Sequence, residues 1–126
     1  YIELNKVNKN DKVVNEVIDI VRNKFHEPLS VEFISEKVHL TPSYLGSLFK
    51  EKMGISIIDY IITFRIKKAM VFLKDISINV YDVARRVGYE NVSYFCTVFK
   101  KNVGLTPKEY QEKLKQNCEG VVNKDV

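Results

Sequence analysis

The chain has 126 residues, of which 45% are hydrophobic and 29% charged, with a formal net charge of +4 and a pI of about 9.0. This length and composition fit one globular domain, or two small units that share an element. No apolar run reaches the roughly 18 residues that a membrane span needs, so the sequence predicts no membrane insertion. The basic balance permits an anionic partner without identifying one.

The two ends of the chain show no sustained apolar period. Residues 1–10 are predicted to be a linker from a missing upstream domain, because the chain opens at Tyr1 rather than at a methionine. Residues 117–126 are predicted to be a flexible tail. The folded part is therefore expected at residues 11–116.

Three helices are predicted in the first part of this region. The first, at about residues 11–25, carries valines at helical spacing on one face. Two shorter helices follow, one after the N-cap Ser30 and one after the N-cap Thr41, and Gly54 ends the second of them. Together they form a predicted subdomain at residues 11–54.

A long linker helix is predicted next, at residues 56–74. Its first half is apolar on nearly every side, which is typical of a helix packed on more than one face. About 18 helical residues at 1.5 Å per residue would make it about 27 Å long. Three further helices, capped by Asn79, Asn91 and Thr106, form a predicted second subdomain at residues 79–116.

The second subdomain repeats the first, with one residue inserted near Asn91. The identical residues of the first copy are Val31, Val38, Ser43, Tyr44, Phe49, Lys50, Gly54 and Tyr60, and those of the second are Val80, Val87, Ser93, Tyr94, Phe99, Lys100, Gly104 and Tyr110. Each copy reads as a short helix, a turn and a longer helix with a basic end, which is the layout of a helix-turn-helix. The sequence therefore predicts an all-α fold of seven helices, with two helix-turn-helix subdomains joined by a long central linker helix.

Helical spacing gives the longer helix of each copy a core face and an outward face. The core faces are Leu45, Leu48 and Phe49 in the first copy and Phe95, Val98, Phe99 and Val103 in the second. The outward faces are Ser43, Gly46, Ser47 and Lys50 in the first copy and Ser93, Cys96, Thr97 and Lys100 in the second. For one copy alone, a solvated helix surface is the favoured interpretation of such short polar residues. Two copies in register favour insertion into a DNA major groove about 12 Å wide, where hydroxyls meet base edges.

Other residues are predicted to bind the phosphate backbone. They are Thr41, Lys50, Arg65, Arg85, Arg86, Asn91, Lys100 and Lys101. A structural role is an equal alternative for Arg65, which is flanked by apolar residues.

Glycine within a helix costs ~1 kcal/mol relative to alanine, so Gly46 is interpreted as a point where the helix backbone closely approaches DNA. The predicted linker helix is nearly as long as the ~34 Å between successive turns of the major groove, so one chain could engage two grooves.

No metal site, cofactor or catalytic site is predicted. Cys96 and Cys118 have neither metal nor redox spacing, and the two histidines are far from both in sequence. This cysteine usage indicates a reducing cytoplasm. No nucleophile, base and orienting group recur together, so the chain is not predicted to be an enzyme.

These residues resemble the DNA-binding domain of the AraC/XylS family of transcriptional regulators. The resemblance covers about residues 11–114, and its most specific part is GYENVSYFCTVFKKNVGLTPKEY, at Gly88 to Tyr110. TPSYLGSLFKEKMGIS and FRIKKAMVFL support it. The resemblance implies a regulator that binds double-stranded promoter DNA, commonly an activator that touches RNA polymerase. It further implies a missing N-terminal sensor or receiver domain, with the isolated domain a monomer and the full-length protein a dimer.

The resemblance also implies particular base contacts. These fall on Ser43, Gly46 and Ser47 in the first copy and on Ser93, Tyr94 and Thr97 in the second. Periodicity places one of them, Tyr94, at the edge of the core. The arginines frequent in the family near Ser47 and Thr97 are absent, and Gln111 stands where an arginine usually follows the final tyrosine. Guanine readout by a bidentate arginine is therefore not predicted at Ser47 and Thr97.

The missing arginines leave an alternative function open. A helical protein-interaction module could keep this fold while losing base readout. The two functions differ in their response to salt, because a DNA-binding protein releases counterions and loses affinity steeply as salt rises.

Overall fold

The computed structural model describes the backbone of residues 9–125 and the side chains of residues 9–116. Across this part of the chain it contains seven α-helices and no strand, which confirms the predicted class. The helices are α1 Lys9–Lys24, α2 Val31–Val38, α3 Pro42–Met53, α4 Ile57–Phe72, α5 Val80–Arg86, α6 Val92–Val103 and α7 Pro107–Asp125. No helix in the described region has an apolar stretch long enough to cross a bilayer.

The two chain ends differ from the sequence prediction in extent. Helix α1 begins at Lys9, within the predicted linker, and the remainder of that linker lies outside the described residues. Helix α7 continues to Asp125, through residues that lack an apolar period. Gly120 lowers helix propensity there without ending the helix. The flexibility predicted for residues 117–126 stays a prediction.

The chain divides into two compact units, residues 1–64 and residues 65–126. In the first unit, α1, α2 and α3 pack against one another around an apolar core. The buried members of that core are Val14, Val17, Val21, Ile34, Val38, Leu45, Leu48, Phe49, Ile57 and Ile61. The predicted core face of α3 is therefore confirmed.

Local hydrogen bonds begin and end the helices of the first unit. The Ser30 hydroxyl oxygen accepts a bond from the backbone N–H of Phe33 at 3.0 Å, and Thr41 Oγ1 accepts one from Tyr44 at 3.2 Å. These contacts satisfy amides that have no partner within the first turn of a helix. Gly54, with φ 81°, ends α3 in the left-handed conformation that glycine adopts without steric strain.

The second unit is built in the same way. Helix α6 packs against α5 and α7, and the side chains of Asn79 and Asn91 cap α5 and α6, accepting backbone N–H bonds at 2.8 Å and 3.0 Å. Gly104 ends α6 with φ 92°. The fully or nearly fully buried residues are Ile66, Ala69, Leu73, Val83, Ala84, Val87, Tyr89, Phe95, Val98, Phe99 and Pro107. Val103, predicted to lie in this core, is only half-buried.

The repeat in the sequence is also a repeat in the packing of each unit. Phe49 and Tyr60 form an edge-to-face pair with ring centroids 5.6 Å apart and an interplanar angle of 65°. Phe99 and Tyr110 form the equivalent pair at 5.7 Å and 64°. Because both pairs tie the longer helix of a unit to the helix that follows it, the repeated residues occupy the same structural positions.

The turn between α2 and α3 and the turn between α5 and α6 have equivalent hydrogen bonds, but the second turn is one residue longer. The backbone N–H of Leu40 donates to the Ser35 carbonyl at 3.1 Å, and that of Tyr89 donates to the Ala84 carbonyl at 2.9 Å. Tyr89 is therefore the counterpart of Leu40, and the residue inserted near Asn91 is Glu90.

Helix α4 departs from the prediction in two respects. It has 16 residues, so at 1.5 Å per residue it is about 24 Å long rather than about 27 Å. Its first half is not buried on every side, because Ile58 is 57% exposed. Ile57 and Ile61 are buried, which shows that this half of α4 has one core face rather than several.

Candidate nucleic-acid interface

The outward face of α3 consists of the residues predicted from helical spacing. Ser43, Ser47 and Lys50 are exposed and Gly46 is half-buried, whereas the opposite face of the same helix lies in the core. Since Thr41 caps the helix just before Ser43, the exposed residues begin at the first turn. This is the end of a recognition helix that meets base edges in a helix-turn-helix.

The outward face of α6 matches that of α3 position by position. Ser93, Thr97 and Lys100 are exposed, and Cys96 is half-buried at the position equivalent to Gly46. Tyr94 is 55% exposed, so the placement at the edge of the core that periodicity predicted understates its exposure. The family-derived position of Tyr94, among the outward residues, agrees better with the structure.

Sequence reasoning missed Tyr44 as a candidate. This residue is 51% exposed on α3, at the position equivalent to Tyr94. The repeat itself contained the signal, because Tyr44 and Tyr94 are one of its identical pairs. Each candidate face therefore presents a tyrosine beside its first serine.

The hydroxyl of Thr97 is already engaged within α6. Its Oγ1 donates to the backbone carbonyl of Ser93 at 3.1 Å. Because the proton is used in this bond, the groups that Thr97 offers to a ligand are the oxygen lone pairs and the methyl group. In a major groove these would meet a base amino group or the methyl group of thymine.

Gly46 has no neighbour that would exclude a side chain. Beyond the neighbouring backbone of its own helix, no atom lies within 4 Å of the position that a methyl group would take there. Internal packing therefore gives no reason for glycine at this helical position. This observation agrees with close approach of another molecule to the α3 backbone.

The two predicted phosphate-contacting caps keep donor groups available. Thr41 and Asn91 are exposed, and each accepts a backbone N–H through its side-chain oxygen. The Asn91 amide nitrogen and the Thr41 hydroxyl proton are separate donors, which capping does not use. Lys50, Lys100 and Lys101 are also exposed.

Each of the three predicted arginines contacts an aromatic ring. Arg65 Cζ lies 5.2 Å from the ring centroid of Tyr89. Arg85 Cζ lies 5.6 Å from the ring centroid of Tyr81, and Arg86 Cζ lies 5.7 Å from that of Phe72. Arg85 also donates from Nη1 to the Tyr81 hydroxyl at 2.9 Å. All three distances lie within the ~6 Å range of cation–π attraction. Rings within the second unit therefore hold these guanidinium groups.

The described side chains show no feature of a metal or redox centre. No group of three or more His, Cys, Asp or Glu residues in residues 9–116 is placed to hold a metal ion. Cys96 is a free thiol, and partial burial raises its pKa above the ordinary 9.0. Because thiolate is the reactive form, this environment disfavours nucleophilic chemistry at Cys96.

Comparison with known proteins identifies the family. A family model described as a helix-turn-helix domain matches residues 34–113. The chain belongs to the AraC-type helix-turn-helix family. This family consists of DNA-binding domains of transcriptional regulators rather than of enzymes, so the resemblance seen in the sequence is confirmed.

Several curated relatives are similar over most of this AraC-type chain. It is 33% identical over 100 residues to the uncharacterized HTH-type transcriptional regulator YtdP of Bacillus subtilis, a match that covers 79% of the chain and 13% of the relative. It is 30% identical over 102 residues to the uncharacterized HTH-type transcriptional regulator YpdC of Escherichia coli, covering 81% of the chain and 36% of the relative. The chain thus spans only about an eighth to a third of the length of these relatives.

Solved structures of AraC-type domains are similar as well. The C-terminal domain of the response regulator AraT from Geobacillus stearothermophilus has a TM-score of 0.78 and 30% identity, covering 80% of this chain and 84% of that one. The C-terminal domain of the response regulator yesN from Fusobacterium nucleatum has a TM-score of 0.73 and 34% identity, covering 75% and 93%. The DNA-binding domain of AdpA, solved in complex with a target DNA, has a TM-score of 0.77 and 21% identity, covering 82% and 94%. At that identity the AdpA likeness concerns the fold alone.

Proposed function

We propose that this domain binds double-stranded promoter DNA sequence-specifically, by inserting α3 and α6 into adjacent major grooves. The observation that carries the proposal is the repeated outward face, on which equivalent residues of the two helices have the same exposure while their neighbours are buried. Membership of the AraC-type family, which consists of DNA-binding domains of transcriptional regulators, supports DNA as the ligand.

The proposed base contacts are outward residues of α3 and α6, and the proposed phosphate contacts are capping and basic residues of the same two units. The base contacts are Ser43, Tyr44, Gly46 and Ser47 on α3 and Ser93, Tyr94 and Thr97 on α6. The phosphate contacts are Thr41, Lys50, Arg65, Arg85, Arg86, Asn91, Lys100 and Lys101. Helix α4, at about 24 Å, is shorter than the ~34 Å between successive turns of the major groove, so its length alone does not bridge the two grooves.

The whole protein is proposed to be a cytoplasmic transcriptional regulator in which this domain supplies DNA recognition. An N-terminal sensor or receiver domain, dimerisation through that domain and contact with RNA polymerase belong to the same proposal. The response-regulator origin of two similar structures favours a receiver domain. The isolated domain is then a monomer.

Selection from a random pool of double-stranded DNA tests the proposal directly. The 126-residue chain should enrich one sequence with two elements on one side of the duplex, and its affinity should fall steeply with rising salt. An unenriched pool, or an affinity that salt does not change, would instead favour the protein-interaction module.

Single charge insertions then test the two faces separately. Ser47→Asp and Thr97→Asp place a carboxylate on the exposed face of α3 and of α6, and each should lower the affinity for the selected duplex at least tenfold. Thr63→Asp makes a comparable change at an exposed position of α4 and is the matched control. Equal effects of all three variants would contradict the assignment of the faces.

A further inference from the structure

Tyr89 lies in the turn between α5 and α6, where the second unit differs from the first. Its counterpart in the first unit is Leu40, as the equivalent backbone hydrogen bonds of the two turns show. Leu40 is half-buried, whereas Tyr89 is only 6% exposed. The longer turn of the second unit therefore buries an aromatic ring where the first unit has a leucine.

The Tyr89 ring connects the core to a proposed base-contacting residue. Its centroid lies 5.4 Å from that of the fully buried Phe95 and 5.9 Å from that of the exposed Tyr94. The interplanar angle with Tyr94 is 56°, a tilted arrangement that aromatic pairs favour over a face-to-face sandwich. Contact with a ring fixed in the core restricts the directions in which Tyr94 can point.

The same ring contacts a proposed phosphate-contacting residue. The guanidinium carbon of Arg65, a half-buried residue of α4, lies 5.2 Å from the Tyr89 centroid. The contact joins residues 24 positions apart, so it fixes a side chain of α4 against the turn that precedes α6. A charged side chain held in this way loses less conformational freedom when it binds a phosphate.

The hydroxyl of Tyr89 is buried, and no hydrogen bond of good geometry reaches it within the described part of the chain. Burial raises the pKa of the Tyr89 phenol above its ordinary 10.0. The positive charge of Arg65 and a loose hydrogen bond from the Arg65 side chain oppose that rise. The phenol is therefore neutral at physiological pH. Phenylalanine at this position would keep the ring contacts, whereas leucine would not.

We infer that Tyr89 is a positioning residue for DNA binding, whose ring holds the Tyr94 side chain and the Arg65 guanidinium in place to contact the same duplex. This inference rests on the proposed function. It assigns the longer turn of the second unit a role that the shorter turn of the first unit does not share. The first unit, with Leu40 at this position, has no equivalent aromatic ring.

Two substitutions separate the role of the ring from that of the hydroxyl. Tyr89→Leu installs the residue of the first unit, and Tyr89→Phe keeps the ring. Binding is measured on the duplex selected from the random pool and on a random-sequence duplex, over a series of salt concentrations. Val83→Ala, a truncation in the buried core of α5, reports the effect of lowered stability alone.

Tyr89→Leu should weaken binding to the selected duplex at least tenfold and reduce the slope of log affinity against log salt by about one, because Arg65 no longer meets its phosphate. Sequence preference should relax only at the bases nearest Tyr94. Tyr89→Phe should restore both properties. Arg65→Gln should reduce affinity in the unmodified chain and have little further effect in the Tyr89→Leu background.

Different outcomes distinguish this inference from the proposed function. If the unmodified chain binds neither duplex, the proposed function and the inference both fall. If the chain binds DNA and Tyr89→Leu keeps the salt slope and the sequence preference, or loses only what Val83→Ala loses, the inference alone is overturned. A DNA-independent measurement checks the contact, since Arg65→Gln should raise the pKa of Tyr89 as followed by NMR of its ring carbons. An unchanged pKa would contradict the role of Arg65.

Discussion

The side-chain nitrogen of Gln111 donates to the carbonyl oxygen of Ile78 at 3.0 Å, although the two residues are 33 positions apart. The same nitrogen lies 3.3 Å from the carbonyl oxygen of Leu73 and 3.2 Å from that of Asp75. A primary amide has two N–H bonds to share among these three acceptors. The Gln111 side chain thus links α7 to the loop between α4 and α5 by hydrogen bonds. The family resemblance predicts an arginine in place of this glutamine.

Removal of this amide should destabilise the second unit. Gln111→Ala leaves carbonyl groups of the loop without a partner and should lower the free energy of unfolding by about 1–3 kcal/mol, whereas Gln111→Arg, with five N–H donors, should keep or raise it. Urea denaturation measures both. Gln116→Ala, at an exposed position of α7, is the control and should stay within about 0.5 kcal/mol of the unmodified chain. Equal effects of the two alanine substitutions would contradict the role of Gln111.

Gly46→Ala should change stability and DNA binding in opposite directions. A methyl group there meets no atom within 4 Å beyond the neighbouring backbone of its own helix, so alanine should raise the free energy of unfolding by about 0.5–1 kcal/mol through its higher helix propensity. The same methyl group should lower affinity for the selected duplex if the α3 backbone lies close to the bases. Thermal unfolding and binding titrations measure the two effects.

Gly54→Ala is the matched control, because it makes the same change where φ is 81°. Alanine there should destabilise the chain by about 1 kcal/mol or more, since the left-handed conformation is strained for a residue with a side chain. Unchanged or increased DNA affinity of Gly46→Ala would rule out close approach at that residue.

Acidification should weaken the start of α7. The backbone N–H of Thr106 donates to Glu109 Oε1 at 2.9 Å, and the Thr106 hydroxyl accepts the Glu109 N–H at 3.1 Å. The first of these bonds is the main cause that lowers the pKa of Glu109 below its ordinary 4.5, and Lys100 adds to it. A carboxyl with a lower pKa in the folded state stabilises the fold at neutral pH, and this contribution disappears as pH falls below 4.5 towards the lowered pKa.

Glu109→Gln keeps a side-chain oxygen and removes the titration. The loss of stability between neutral pH and pH 3 should therefore be smaller for Glu109→Gln than for the unmodified chain, as measured by urea midpoints at a series of pH values. Glu112→Gln removes the same charge at an exposed position of the same helix and serves as the control. If both variants change the pH dependence equally, net charge rather than the capping box explains it.

Lys100→Ala should weaken the binding of all DNA sequences to a similar degree. Lys100 is exposed at the basic end of α6, and loss of one phosphate contact should reduce the slope of log affinity against log salt by about one. Salt titrations with the selected and the random-sequence duplex measure this. Lys115→Ala removes a charge at an exposed position of α7 and should leave the slope nearly unchanged. A change of preference at a single base position would contradict a phosphate contact for Lys100.

Features that depend on local sequence could be predicted without the structure. The caps at Ser30, Thr41, Asn79 and Asn91 are recognisable because a short polar side chain stands just before an apolar period. The core faces of α3 and α6 follow from helical spacing in the same way. The match between the two copies then supported the predicted outward faces of α3 and α6, because equivalent residues of a repeat are expected to have the same exposure.

Features that depend on distant contacts could not be predicted. Nothing in the sequence near Gln111 indicates the loop 33 to 38 positions earlier that its amide binds. The contact between Arg65 and Tyr89 likewise depends on how α4 packs within the second unit.

The exposure of Tyr94 was predicted wrongly for a different reason. Periodicity treats a tyrosine as partly apolar, and it therefore placed Tyr94 at the edge of the core although more than half of its surface is exposed.

The state of Cys96 bears on how the second recognition helix would respond to stress in a cell. Its partly covered thiol holds its proton more firmly than an exposed cysteine does, so peroxide and alkylating reagents meet little thiolate at neutral pH. Oxidation of this sulfur atom should therefore be slow, and the DNA binding proposed for α6 should be insensitive to mild oxidants.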